Sequence, residues 1–239
     1  MNQQRTFSDQ LGSLRKPIAN ILSIIIVFAG MLIALTWGAG ASSIGQQAQS
    51  LLGMNSTQLC WYVTRAAGLT GYFLLWLSMV LGFAIPSRII QPILDNTFTY
   101  DFHEHLSLVG LGFVFLHVVV LLFDKYLPYS IFQILVPFTG TYRPFWVGLG
   151  IISFYIMLLV TFTFYLRQQI GSKAFRAIHV LSLLGYLGTT VHGLFAGTDS
   201  ALPVTMVLYV GTFLIVIFMT VYWLFTRYFG REKLQIFKS

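Results

Sequence analysis

The sequence predicts an all-α protein, a polytopic membrane bundle of six transmembrane helices, and three observations carry that prediction. Only 9% of the 239 residues are charged and 56% are hydrophobic, with a mean hydropathy of +0.78. A soluble domain carries roughly 25% charged residues, so this composition cannot cover a water-facing surface. Six apolar stretches, near 18–38, 63–85, 102–123, 145–166, 175–196 and 204–226, each reach the ~20 residues a helix needs to cross ~30 Å of hydrocarbon. Backbone isolated in lipid must satisfy its own polar groups, which makes each of these stretches helical. Pro17, Pro86, Pro144 and Pro203 stand at span ends, where a missing N–H does least harm. A cytosolic globular enzyme, a disordered tail and a secreted disulfide scaffold are excluded.

The first span follows Arg15 and Lys16, as a signal peptide would. Its apolar core is nearer 20 residues than the ~7–15 of a signal sequence, so a retained helix is expected. The expected organisation is a cytoplasmic segment over 1–17, a six-helix domain over 18–228 and a cytoplasmic tail over 229–239. A tail that short leaves no room for a nucleotide-binding domain, and no flavin or NADPH site is expected in this chain. Between the third and fourth spans, the segment from Asp124 to Pro144 contains the apolar run YSIFQILVPF. Such a run is expected to lie in the membrane interface or to cover whatever the outer half of the bundle holds.

Direction follows from the basic residues. With the N-terminus inside, eleven of the fourteen Lys and Arg residues fall on the inner side and only Arg65, Lys125 and Arg143 on the outer. This is a positive-inside bias, and it predicts a cell (inner) membrane protein with both termini cytoplasmic. The same bias explains the net charge of +7 better than a nucleic-acid partner does, because the cations are scattered through apolar sequence. Cys60 is the single cysteine, so there is no internal disulfide, no CxxC metal pair and no CxxCH for covalent haem attachment.

All five histidines, His103, His105, His117, His179 and His192, lie in or at the mouths of the third and fifth spans. Ionisable side chains inside a membrane are costly and default to a functional reading; the plain alternative is helix–helix hydrogen bonding. His103 and His117 are 14 residues apart, and His179 and His192 are 13, which is about 21 Å and about 20 Å along a helix. Both spans run outward under the predicted topology. His103 and His179 then share the inner level, and His117 and His192 the outer. Two cross-helix pairs, one above the other, suit two bis-imidazole haems, and without a thioether motif these are b-type. A bundle holding haem between its third and fifth helices is therefore expected. Thirteen residues miss a common helix face by about 140°, so the fifth helix must twist, bulge or present its haems on different sides, with Gly185 and Gly188 as the positions that could admit a local distortion. His105 is about 120° out of phase with His117 and is not expected to be a ligand.

Around these histidines, Gly110 lies seven residues from both His103 and His117, and Gly185 seven before His192. A glycine there admits a flat ligand close to the backbone, or it serves ordinary small-residue packing. Arg65 and Arg143 outside, and Arg176 inside, are candidate partners for haem propionates, with interfacial snorkelling as the alternative. Phe113, Phe115 and Tyr186 fall between the two levels.

The segments FHEHLSLVGLGFVFLHVVVLLFDKY and FRAIHVLSLLGYLGTTVHGLFAGTDS resemble the ferric reductase-like transmembrane domain family. That family includes ferric reductases, NADPH oxidases and bacterial haem-binding subunits of the sulfoxide-reductase type. WYVTRAAGLTGY and VPFTGTYRPFWVGLG also look like its bacterial members, so the resemblance spans most of residues 61–200. It implies that His103 and His179 hold an inner haem iron and His117 and His192 an outer one. The missing flavin and NADPH module narrows the resemblance to stand-alone bacterial-type members, and His105 lies outside the family's ligand pattern.

The expected function is that of a dihaem b-type membrane cytochrome. It would pass electrons from the cytoplasmic or quinone side to an outer acceptor or partner protein, as an electron-transfer subunit of an oxidoreductase. The expected partners are membrane lipid, separate donor and acceptor proteins or quinone, and a larger membrane complex. Two alternatives stand beside it: a self-standing reductase of ferric iron, oxygen or quinone, and a haemless transporter or assembly subunit.

Overall fold

The computed structural model describes residues 56–87 and 95–236, with Ser50 and Gly53 besides. The expected N-terminal segment and the first span at 18–38 lie outside the described residues. The elements are α1 (Ser56–Ser87), α2 (Asn96–Val120), a 3-10 turn (Leu121–Phe123), α3 (Ile131–Leu135), α4 (Pro144–Tyr165), α5 (Arg167–Ile170), α6 (Ser172–His179), α7 (Leu181–Ala196) and α8 (Pro203–Ile236). No strand occurs among the described residues.

Five helical stretches are long and apolar enough to cross a membrane: Cys60–Ser87, Thr97–Phe123, Pro144–Tyr165, Ser172–Ala196 and Pro203–Arg227. They match the five expected spans after the first to within a few residues. Large apolar side chains such as Phe162, Val207 and Phe218 point outward and are exposed. Lipid tolerates such a surface and water does not. This is the architecture of a multi-pass membrane protein.

Local chemistry sets the helix ends. The Asp95 carboxylate accepts the Thr97 N–H at 3.1 Å and caps α2. Pro144 and Pro203 open α4 and α8, where proline's fixed φ suits a first helical turn. At the other end of α4, the chain reverses through α5 and through Gly171, whose φ of +82° favours glycine.

Two helix pairs make the body of the bundle. α1 packs on α2, α4 packs on α6 and α7, and α8 lies against α1 and α7. Small residues let the backbones approach. A Cβ on Gly110 would fall 3.2 Å from Leu74 and Leu75, and one on Gly185 would fall 2.9 Å from the Met157 sulfur. Both glycines therefore sit in helix–helix seams and not against a histidine ring, so the room they give is used by neighbouring helices.

The distortion expected in the fifth span exists, but not at Gly185 or Gly188. The helix breaks at Val180, directly after His179, where the Leu183 N–H bonds the Val180 carbonyl at 3.1 Å. An i→i+3 bond winds the chain more tightly than an α-turn, which moves a 13-residue step toward four whole turns. α7 runs unbroken through both glycines.

Between the two histidine levels the core is partly polar. The Tyr72 hydroxyl lies 2.9 Å from that of Tyr186 and 2.6 Å from Thr212 Oγ1, and Thr190 Oγ1 donates to it at 3.3 Å. The Tyr72 ring stacks on Tyr186 and meets Tyr209 edge-on. Tyr186 is 1% exposed, so its hydroxyl needs these partners. The network ties α1, α7 and α8 together.

Candidate functional site

The histidines meet across the bundle in the pairs their levels predict. The His103 and His179 ring centroids are 6.1 Å apart with planes at 73°, and those of His117 and His192 are 6.4 Å apart at 79°. All four are part-buried, whereas His105 is exposed on α2 and joins neither pair.

Three of the four rings are seated in the same way. His117 lies against Gly68, where a Cβ would fall 2.9 Å from Nδ1, and its Nδ1 is 2.7 Å from the Thr64 carbonyl. His192 lies against Gly150, where a Cβ would fall 2.6 Å from Nδ1, and its Nδ1 is 2.9 Å from the Trp146 carbonyl. His103 lies against Gly82, with Nδ1 2.9 Å from the Ser78 carbonyl and 3.0 Å from the Ser78 hydroxyl. In each case the accepting carbonyl belongs to the residue four before the glycine. That oxygen points along the helix axis at the glycine N–H, and the absent Cβ uncovers it for a second donor.

The chemical consequence is a fixed tautomer. A carbonyl only accepts, so Nδ1 carries the proton in these three rings and Nε2 keeps its lone pair. Metal-binding histidines almost always have this arrangement, with one nitrogen anchored and the other free. In His179 the same nitrogen is buried and meets no acceptor among the described residues.

A cavity of about 230 Å³ opens beside His117 and His192. Its lining is largely apolar, with Leu75, Val114, Phe154 and Met157, and also includes Arg65, Asp199 and Tyr129. The segment after α2 forms part of the wall through Leu127, Tyr129, Gln133 and Ile134. Asp124 starts this segment by accepting the Tyr126 N–H at 2.7 Å. Ser130 and Gln133 then cap α3 reciprocally. Phe138, at a φ of +68°, drives its ring to where a Cβ on Gly148 would stand. Burial raises the Tyr129 phenol above its ordinary value, and Tyr142 adds to the shift.

The arginines divide. Arg65 lines the cavity but is ion-paired with Asp199, and its guanidinium sits 3.8 Å over the Trp61 ring. Arg143 is exposed and donates to the Phe195 carbonyl, while the Tyr142 hydroxyl donates to Ala196 at 3.2 Å. Together they close the open carbonyls at the end of α7, a favoured place for a cation. Arg176 is exposed, one turn before His179. Of the residues between the levels, Tyr186 is interior, Phe113 packs beside Leu116, and Phe115 is exposed.

Sequence reasoning missed Gly68, Gly82 and Gly150. A signal for the first two was present: Gly68 and Gly82 are 14 residues apart, the spacing of His103 and His117 on the neighbouring antiparallel helix.

Fold and site together define a class, a multi-pass helical membrane protein with two stacked cross-helix histidine pairs. Comparison with known proteins takes this no further: no family model, no curated protein and no solved structure matches the chain.

Proposed function

We propose that the chain is a b-type dihaem membrane cytochrome, a stand-alone member of the ferric reductase-like family, carrying electrons across the bilayer to an outer acceptor. In this reading His103 and His179 hold the inner haem and His117 and His192 the outer, between the third and fifth helices of a six-span bundle. The observation that carries it is the geometry of the two pairs. An imidazole nitrogen binds a transition metal at about 2.0 Å, and its ring centroid lies about 1.1 Å further, so two imidazoles sharing one iron would put their centroids about 6.2 Å apart. The observed separations are 6.1 and 6.4 Å.

The donor set fits as well. Haem would bring four nitrogen donors of its own and would need only two more from the protein, which each histidine pair could supply. Among the described residues no three His, Cys, Asp or Glu side chains gather as a metal-ion set, and paired imidazoles are what this prosthetic group takes. Haem, when bound, supplies the one-electron chemistry. The chain's own residues orient the rings, keep Nε2 unprotonated in His103, His117 and His192, and line the cavity with largely apolar side chains. Arg65, in the cavity lining, would meet a propionate in exchange for Asp199. With the N-terminus inside, outward electron movement runs with a negative-inside potential, by up to about 2.3 kcal/mol per 100 mV for a full crossing.

The test is the haem content of the detergent-purified protein, read from a reduced-minus-oxidised spectrum. Two b haems per chain are expected. A protein that purifies folded and haemless sinks the reading in favour of a transporter or assembly role.

A further inference from the structure

We infer that the two histidine pairs hold their prosthetic groups unequally, the His103–His179 pair more weakly, and that Phe164 on α4 is the residue that makes the difference. The inference rests on the haem reading above and adds a ranking of the two sites that the reading does not contain.

On α1 the two notch glycines, Gly68 and Gly82, are 14 residues apart, matching the 14 residues between His103 and His117 on α2. Fourteen residues return to nearly the same helix face, about 21 Å along. On α4 the notch serving His192 is Gly150, with the Trp146 carbonyl as acceptor. Fourteen residues on from these stand Phe164 and Val160. At the level of His179, α4 therefore carries a phenylalanine where its other end carries a glycine.

Two further contacts agree. The Val160 carbonyl accepts the Thr163 hydroxyl at 2.9 Å. The Phe164 ring packs 6.1 Å from Phe175, and Phe175 packs 5.2 Å from the His179 ring. His179 is thus set by aromatic contact on its own helix, and among the described residues its Nδ1, unlike the Nδ1 of the other three, meets no acceptor.

A hydrogen bond from Nδ1–H to a carbonyl fixes the ring and makes Nε2 more basic, and losing such a partner costs 10- to 100-fold in metal affinity. A more basic imidazole would also favour ferric over ferrous iron when haem is bound. The His103–His179 haem is therefore the one released faster, and the one with the more positive midpoint potential.

The experiment uses the full chain in detergent, with haem transfer to an excess of a soluble apoprotein followed by absorbance. His117→Ala and His103→Ala proteins assign the two components. Two phases differing about 10- to 100-fold, the faster belonging to the His103–His179 pair, are expected. Phe164→Gly should slow that phase and shift its midpoint toward the other. Gly150→Ala, which blocks the notch of His192, should instead speed the slow phase. Two haems released at one rate with one potential overturn the inference and leave the cytochrome reading standing. Faster release from the His117–His192 pair does the same. A folded chain without haem removes both. Should Phe164→Gly fail to fold, the Gly150→Ala protein decides: an unchanged slow phase overturns the role given to the notch.

Discussion

The His117–His192 level and the His103–His179 level are built on the same spans, with α7 supplying the first and α6 the second on one side, and differ in how the rings are fastened. At the first, both imidazoles are anchored through Nδ1 to backbone carbonyls uncovered by Gly68 and Gly150, and a cavity walled by the segment after α2 lies alongside. At the second, His103 is anchored with help from Ser78, and His179 is not. Equal ring separations therefore do not mean equal sites. What seats an imidazole is the neighbouring helix, and one residue in that helix decides it.

The largest effect expected is at the ligands themselves. His117→Ala should abolish one haem signal and leave the other at full amplitude in the reduced-minus-oxidised spectrum. If both persist, the pairing of levels is wrong.

Next come the notches. At Gly68 an added methyl would stand 2.9 Å from His117 Nδ1, while at Gly82 it would stand 3.3 Å from His103 Cε1. Gly68→Ala should displace its ring off the carbonyl and weaken the haem there by about 10- to 100-fold, measured as haem per chain after dilution. Gly82→Ala, whose contact a ring shift of a few tenths of an ångström relieves, should cost a few-fold at most. Equal losses would mean that the notch only packs helices.

The tyrosine network between the levels provides a control that favours neither. Tyr72→Phe removes the hydroxyl shared by Tyr186, Thr190 and Thr212 and should cost about 1–3 kcal/mol of stability. Thermal unfolding in detergent should move down while both haems are retained in the same ratio. A selective loss at one level would place the network inside that site.

The smallest effect belongs to Arg143. Its guanidinium closes the end of α7 and does not line the cavity. Arg143→Ala should lower the unfolding midpoint by the equivalent of about 0.3–1 kcal/mol without changing haem content at the His117–His192 level.

Periodicity and composition determined much of this protein. Five apolar runs of spanning length lie where helices lie, because each helix satisfies its own backbone and needs only apolar side chains to sit in lipid. The histidine pairing was legible too, since a fixed rise per residue turns spacings of 14 and 13 into depths in the bundle. Tertiary structure decided which glycine faces a ring and which faces a helix. Gly110 and Gly68 look alike in sequence, yet the first meets Leu74 and the second His117. The position of the break at Val180, the pairing of Arg65 with Asp199 and the open Nδ1 of His179 were likewise settled only by packing. The physical reason is that spacing along one helix fixes height and phase, whereas contact depends on the rotation of the helix beside it, which no single segment encodes.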